Sequence, residues 1–260
     1  MNKNIKLAVA GAVLALSASA ANAGIVIPAG DWTLDVSGNV NSFYSQSKST
    51  GSTAVYGGIS GGGTAASVNS QGTGLLPNFL SIGGSTRQND LDVTFAISIQ
   101  PGGDVGSAGA LGTQNNRQAY LTFGDKSWGS IKLGKDLGIF ASDAILNDMT
   151  LLGVGAGAGL GNATYGRIGT GFIYADWKSQ VAYTTPNFNG FQATVALTQG
   201  WSATATTGAA SLSTTNRGGA NPAYEGKASY SFAANDVTGK VWVSGIAQKI
   251  GGGTTTDDPV

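Results

Sequence analysis

The sequence predicts an all-β fold, a transmembrane antiparallel β-barrel, and three observations predict it. The N-terminal stretch "MNKNIKLAVAGAVLALSASAANAG" carries Lys3 and Lys6, then an apolar run from Leu7 to Leu16, then the small-residue site Ala21-Asn22-Ala23. That is the layout of an export signal. Beyond it, the longest low-polarity stretch is "LLGVGAGAGLG" at 151–161, short and full of glycine, so no later segment reads as a spanning helix. Thirdly, strand-like segments alternate. In 90–100, Leu91, Val93, Phe95, Ile97 and Ile99 fall on one face, with Asp92, Thr94, Ala96, Ser98 and Gln100 on the other. In hydrocarbon every backbone polar group needs an internal partner. Strands meet that condition by closing into a barrel with apolar residues outward.

Taken in order, residues 1–23 are expected to be a cleaved signal peptide, because an apolar run of about ten residues is too short to cross a core of about 30 Å as a helix. Residues 24–260 then form one barrel domain. It holds about nine strand-like segments, each recognised by its period-two pattern. They lie at about 32–45, 78–86, 90–100, 116–124, 128–135, 172–185, 190–201, 222–233 and 238–249. In the first, Trp32, Leu34, Val36, Val40 and Tyr44 oppose Thr33, Asp35, Ser37, Asn39 and Asn41. In the seventh, Phe191, Ala193, Val195 and Leu197 oppose Gln192, Thr194, Ala196 and Thr198. The connections alternate strictly between long (46–77, 101–115, 136–171, 202–221) and short (87–89, 124–129, 185–190, 233–239). Outer-membrane barrels sort their loops in this way, long outside and short in the periplasm.

Composition narrows the function. Charged residues are 11%, against roughly 25% in soluble domains, which leaves a soluble exterior poorly hydrated. Formal net charge is zero, so nucleic acid is not expected as a partner. There is no cysteine and no histidine. This removes disulfides, Cys or His metal sites and histidine-based catalysis. No catalytic residues, cofactor or metal are expected, and the chain does not read as an enzyme.

Two phrases are more specific. "NRQAYLTFGDKSWGSIKLGKD" (116–136) resembles a hairpin of the trimeric general porins of Gram-negative bacteria, and "QVAYTTPNFNGFQATVAL" (180–197) is similar to a second one. The likeness spans residues 32 to about 249. It implies a porin-type barrel of about 16 strands, forming a homotrimer in outer-membrane lipid and passing small hydrophilic solutes and ions. It also implies a long loop after the fifth strand that folds into the lumen and sets acids against wall bases. Here that loop is about 136–171, with Asp136, Asp143 and Asp148, and "FASDAILNDMTLL" is expected to make a short helix capped by Ser142. The wall bases implied are Arg117, Lys132, Lys135, Arg167 and Lys178. Lys132 is out of phase with Ile131 and Leu133, and Lys178 with Val181 and Tyr183, so both are expected in the lumen. Arg117 shares its phase with Ala119, Leu121 and Phe123, which leaves its direction open. Two features depart from the family: Phe79 stands where a wall arginine is common, and residues 153–161 are rich in Gly and Ala.

The function implied is a general diffusion porin. The alternatives are a substrate-specific channel and, behind it, an adhesin or structural barrel. Nine segments against about 16 strands also give the expectation that these residues are an N-terminal portion of a barrel.

Overall fold

A computed structural model of the chain describes residues 24–48, 68–101, 114–155, 164–166, 175–206, 209–217, 221–234, 236–252 and 256–259. The signal segment and Arg167 lie outside the described residues. The architecture is one 11-stranded antiparallel sheet in the order β1-β2-β5-β6-β7-β8-β9-β10-β13-β14-β15, with two small hairpins, β3-β4 and β11-β12. The strands are β1 Ile25–Ala29, β2 Trp32–Asn39, β3 Phe43–Ser47, β4 Val68–Gly72, β5 Phe79–Gln88, β6 Leu91–Pro101, β7 Gln114–Asp125 and β8 Gly129–Leu137. They continue with β9 Trp177–Thr184, β10 Phe191–Thr198, β11 Trp201–Thr206, β12 Ala209–Arg217, β13 Ala223–Ala234, β14 Val237–Gly252 and β15 Thr256–Pro259. A single short helix, α1, runs Ser142–Leu146 among the described residues.

Each of the nine alternating segments contains a strand of the main sheet; the sixth, expected at 172–185, is strand from Trp177 to Thr184, and its residues 172–174 lie outside the described residues. The first ends earlier than its pattern, at Asn39, and Phe43–Ser47 pairs separately with Val68–Gly72. The strands not anticipated are those without alternation: β1, "IVIPA", is a continuous apolar run, β4, β11 and β12 are polar tracts inside what reads as loops, and β15 follows the last alternating segment.

Register turns alternation into two faces. Residues paired across antiparallel strands share a face. One row runs Ile27, Leu34, Gly84, Phe95, Leu121, Leu133, Val181, Leu197 and Tyr224 across nine strands. The neighbouring row on the other face runs Thr33, Ser85, Thr94, Thr122, Lys132, Ala182, Ala196 and Glu225. The apolar face stays open, with Ile82, Ile97, Leu121, Leu133, Val181, Val195 and Leu197 all exposed. A soluble domain does not leave so long an apolar belt uncovered. The buried residues lie on the polar face instead, among them Ser98, Gln100, Asp136, Lys178, Gln180, Thr198 and Glu225.

The short turns gather at one end. Asn89 and Asp90 both adopt positive φ, 49° and 62°, the conformation of a two-residue hairpin turn that Asn and Asp tolerate. Arg87 closes this turn onto Asp92 at 2.8 Å and ties it to the β7–β8 turn through Asp125 at 3.0 Å. The connection from β8 to β9 leaves the opposite end and returns over the polar face.

Candidate pore constriction

The β8–β9 connection is held at its root, its helix and its far side. At the root, Gly138 N–H donates to the Asp176 carbonyl at 2.7 Å. A Cβ at Gly138 would collide with the Ala175 carbonyl oxygen, so a side chain here would push the two strand ends apart. Two residues on, Phe140 N–H donates to Glu225 Oε2 at 2.8 Å. Glu225 Oε1 also accepts from Lys178 Nζ at 2.5 Å and from Thr198 Oγ1 at 2.9 Å. The Lys178–Glu225 pair has no side-chain exposure at either partner. A buried pair of this kind gives little net stability, but it is costly to break, because the surviving charge stays desolvated. It pins the loop root to the wall formed by β9, β10 and β13.

The helix is the second point. Ala141, not Ser142, is the N-cap; it takes a left-handed conformation (φ 59°) and makes no side-chain cap bond. Ser142 is the first helical residue, and its hydroxyl donates back to the Ile139 carbonyl at 2.9 Å. The expected serine cap is therefore corrected. Asp143 follows, and it is the acid that meets wall bases. Lys240 Nζ donates to its Oδ1 at 2.7 Å, and Lys227 Nζ lies 2.7 Å from its Oδ2. Lys227 also reaches Ser142 Oγ at 3.3 Å, and Ala141 N–H donates to Ser244 Oγ at 3.3 Å. Burial works to raise the Asp143 pKa, but the hydrogen bonds from Lys227 and Lys240 outweigh it, and the carboxyl titrates below the ordinary aspartate range.

The third point lies beyond the helix. Leu75 and Leu76 N–H donate to the carbonyls of Gly153 and Leu151, at 3.2 and 3.0 Å. Residues 74–78 are held for this contact by β2 and the residues after it. Asn41 accepts from Gly74 N–H at 2.8 Å and donates to the Leu76 carbonyl at 2.9 Å, and Asn39 donates to the Pro77 carbonyl at 3.2 Å. A Cβ at Gly74 would strike the Gly153 carbonyl oxygen, so only glycine permits so close an approach. The connection thus bridges β13 and β14 on one side and the β4–β5 segment on the other.

The remaining sequence-selected residues divide. Asp136 is not a loop acid: it is the penultimate residue of β8, a wall residue that pairs with Lys132 and accepts from Gln118 Nε2 at 3.0 Å. Lys132 also sits 4.6 Å from the Tyr120 ring centroid, a cation–π approach. Asp148 turns inward on its own loop, accepting from Thr150 N–H and Oγ1, each at 2.7 Å, and from Thr164. Burial again works to raise its pKa, and the threonine hydrogen bonds bring it below the usual range. Lys135 pairs in register with Ala119 and Ser179, the row next to Leu133 and Ile131, on the opposite face from Lys132 and Asp136. Arg117 stands at the irregularity between Ser98 and Ile99 in the β6–β7 ladder, with its guanidinium 5.7 Å from the Trp177 ring centroid. Neither Lys135 nor Arg117 falls in the row of Lys132 or in the row of Lys178.

Three site residues escaped the sequence reading: Glu225, Lys227 and Lys240. The signal was there. In "AYEGKASYSF" the odd positions Glu225, Lys227, Ser229 and Ser231 alternate against Tyr224, Ala228, Tyr230 and Phe232.

A sheet with an apolar outer belt, a polar inner face and a loop docked across that face defines a class: outer-membrane channels that cross the bilayer on strands. A family model described as Gram-negative porin matches residues 9–258, and the chain belongs to that family. Among solved structures, the anion-selective porin from Comamonas acidovorans shares 16% identity, with 84% of this chain and 68% of that chain covered and a TM-score of 0.42. The Salmonella typhi OmpF complex with daunomycin shares 14%, with 86% and 68% covered and a TM-score of 0.36. No curated protein matches the chain.

Proposed function

We propose that this outer-membrane porin is a general diffusion channel whose water-filled lumen is narrowed by the β8–β9 loop. The observation that carries the reading is the three-point docking of the loop over the polar face: Glu225 at the root, Asp143 at the helix, Gly153 at the far side. Opposed charges in a narrow lumen with low-dielectric walls set up a focused transverse field. Hydrated polar solutes orient in such a field and pass, whereas apolar solutes disrupt its ordered water. Residues 1–23 act as a cleaved export signal, residues 24–260 contribute to the barrel, and the working assembly is a homotrimer in outer-membrane lipid.

The loop position is open to a clean test, because the chain has no cysteine of its own. Met149, on the loop after the helix, is 85% exposed. Channels carrying Met149→Cys are expected to lose conductance in steps as a bulky charged methanethiosulfonate reacts. Conductance that stays constant on protein proven to be labelled would take the loop out of the conduction path.

A further inference from the structure

Lys135 faces away from the lumen. In register it pairs with Ala119 and Ser179, on the outer face with Leu133 and Ile131. Lys135 is half-buried and Ser179 is exposed. Among the described residues, no carboxylate lies within ion-pairing distance of the Lys135 ammonium. One row further out, Leu137 pairs with Trp177, and an indole on that face marks the headgroup level of a bilayer. Lys135 thus stands where the apolar belt meets the headgroups, at the end from which the long β8–β9 connection leaves. A lysine at that depth carries its ammonium out to the interface, and its unmatched charge calls for an anion on the lipid side.

One and two rows deeper into the bilayer the outer face is hollow. Ile131, Val181, Tyr183, Val195, Leu197 and Tyr224 border a space of about 520 Å³, within the range of about 300–1,000 Å³ that holds a small ligand. Glycine keeps its far side open. Gly226 stands opposite Val195, and Gly245 stands opposite Gly226. A Cβ on Gly226 would have its nearest neighbour, the Thr194 carbonyl oxygen, at 3.9 Å, and one on Gly245 would meet nothing within 4 Å. Packing demands neither glycine; together they leave a trough two strands wide in the apolar belt. We infer that β8, β9, β10 and β13 form a seat for one lipid with a phosphate headgroup. Lys135 takes the phosphate, with the Ser179 hydroxyl beside it in register, and an acyl chain lies in the hollow toward Gly226. A flat belt is wetted by any lipid tail, whereas a hollow capped by a cation selects a lipid by charge and chain together. Phosphate suits a lone ammonium, a compact point charge with three donors. The seat is on the outer wall and stands independently of what the lumen conducts.

The probe is dimyristoyl phosphatidic acid, titrated onto the full chain in a neutral detergent and read by native mass spectrometry. Dimyristoyl phosphatidylcholine and inorganic phosphate are run alongside. A single phosphatidic acid is expected to be retained by the wild type in preference to phosphatidylcholine. Lys135→Gln is expected to weaken its binding about tenfold, the size of one lost charge-assisted contact, and Lys135→Arg retains it. Gly226→Leu fills the trough and is expected to weaken binding too, with strand content by circular dichroism unchanged. Lys126→Gln, in the exposed β7–β8 turn at the other end of the sheet, is the control and leaves binding as it was. Equal binding in wild type and Lys135→Gln, or equal retention of phosphatidic acid and phosphatidylcholine, overturns the phosphate seat. Inorganic phosphate that competes as strongly as the lipid assigns Lys135 to a free anion and overturns the lipid. Undiminished binding in Gly226→Leu takes the acyl chain out of the hollow and overturns the seat as drawn.

Discussion

Asp143 is the residue on which the loop's charge rests, and its titration has a definite sign. The docked carboxyl has a depressed pKa, while the undocked one titrates near 3.9. Docking energy from the ion pairs is therefore fully present above about pH 4. It is lost as pH falls through the docked value, because protonation removes the charge that Lys227 and Lys240 hold. Single-channel conductance is expected to stay level from neutral pH to about 4 and to become noisy below it. Asp143→Asn is expected to be noisy at neutral pH and to lose this acid response. An identical acid response in wild type and Asp143→Asn would exclude Asp143 as its source. Much of this was written in the sequence, and some was not. Alternation marks Lys178 and Lys132 as out of phase with their apolar neighbours, and it marks Glu225 and Lys227 equally well. What alternation does not distinguish is Asp143 from Asp148. Both are loop acids a few residues apart, but one meets Lys240 across 97 positions of chain and the other meets Thr150 two residues away. Partner choice of that kind is a tertiary fact. The caps behave similarly: Ser142 has the side chain of an N-cap, but the left-handed Ala141 starts the helix one residue earlier.

Among elements, the long strands were legible because each carries its environment in a two-residue period. β10 is the clearest, with Phe191, Val195 and Leu197 exposed and Ala196 and Thr198 buried, and β6 shows the same contrast at Ile97 against Ser98 and Gln100. β1 has no period, and its Pro28 argues against a central strand; it joins through its pairing with β2 at the Gly30–Asp31 turn. The hairpins β3-β4 and β11-β12 pair outside the main sheet. No apolar face is demanded of β4, β11 and β12, so no alternation announces them, while the start of β3 carries the tail of the first segment's pattern at Tyr44. The two faces of β10 make opposite predictions for the same substitution. Val195 belongs to the exposed apolar side, next to Tyr183 and Gly226 in register. Thr194 lies on the other face, opposite Lys227 and hydrogen-bonded to Thr184 Oγ1 at 3.0 Å. Val195→Lys places a charge in lipid and is expected to cost about 2–4 kcal/mol of folding free energy in vesicles, measured by denaturant titration. Thr194→Lys is expected to cost distinctly less, since its head reaches water. Equal costs at the two positions would mean that the assignment of faces is wrong.

Across the whole molecule, the outer surface is not uniform, and the difference bears on assembly. On β1, β2, β5 and β6 the exposed outward residues are aliphatic: Ile25, Ile27, Leu80, Ile82 and Ile97. On β9, β10 and β13 the exposed outward positions include Tyr183, Phe191, Tyr224, Tyr230 and Phe232, with the Tyr230 and Phe232 rings stacked 6.4 Å apart. Aromatic rings with polar edges settle at the headgroup level of a bilayer, so the second sector is dressed for lipid. The first sector has little to offer headgroups beyond Trp32, which packs on Phe95 beside the short turns at a centroid distance of 5.7 Å. Lipid tails and aliphatic side chains are equally apolar, so a contact between protein surfaces in the membrane depends on close packing. Small residues in this sector, Gly38 on β2 and Ala119 on the adjoining β7, permit that approach. The aliphatic sector is therefore predicted to face the sister subunits of a homotrimer. Wild-type protein left unheated in mild detergent is expected to migrate as a trimer. Ile97→Lys places a charge between subunits and is expected to shift migration to the monomer position while strand content by circular dichroism stays the same. Wild type that migrates as a monomer would sink the trimer. A trimer that tolerates Ile97→Lys would move the interface to another sector, leaving Ile97 to lipid, where its lysine should then lower stability in vesicles as Val195→Lys does.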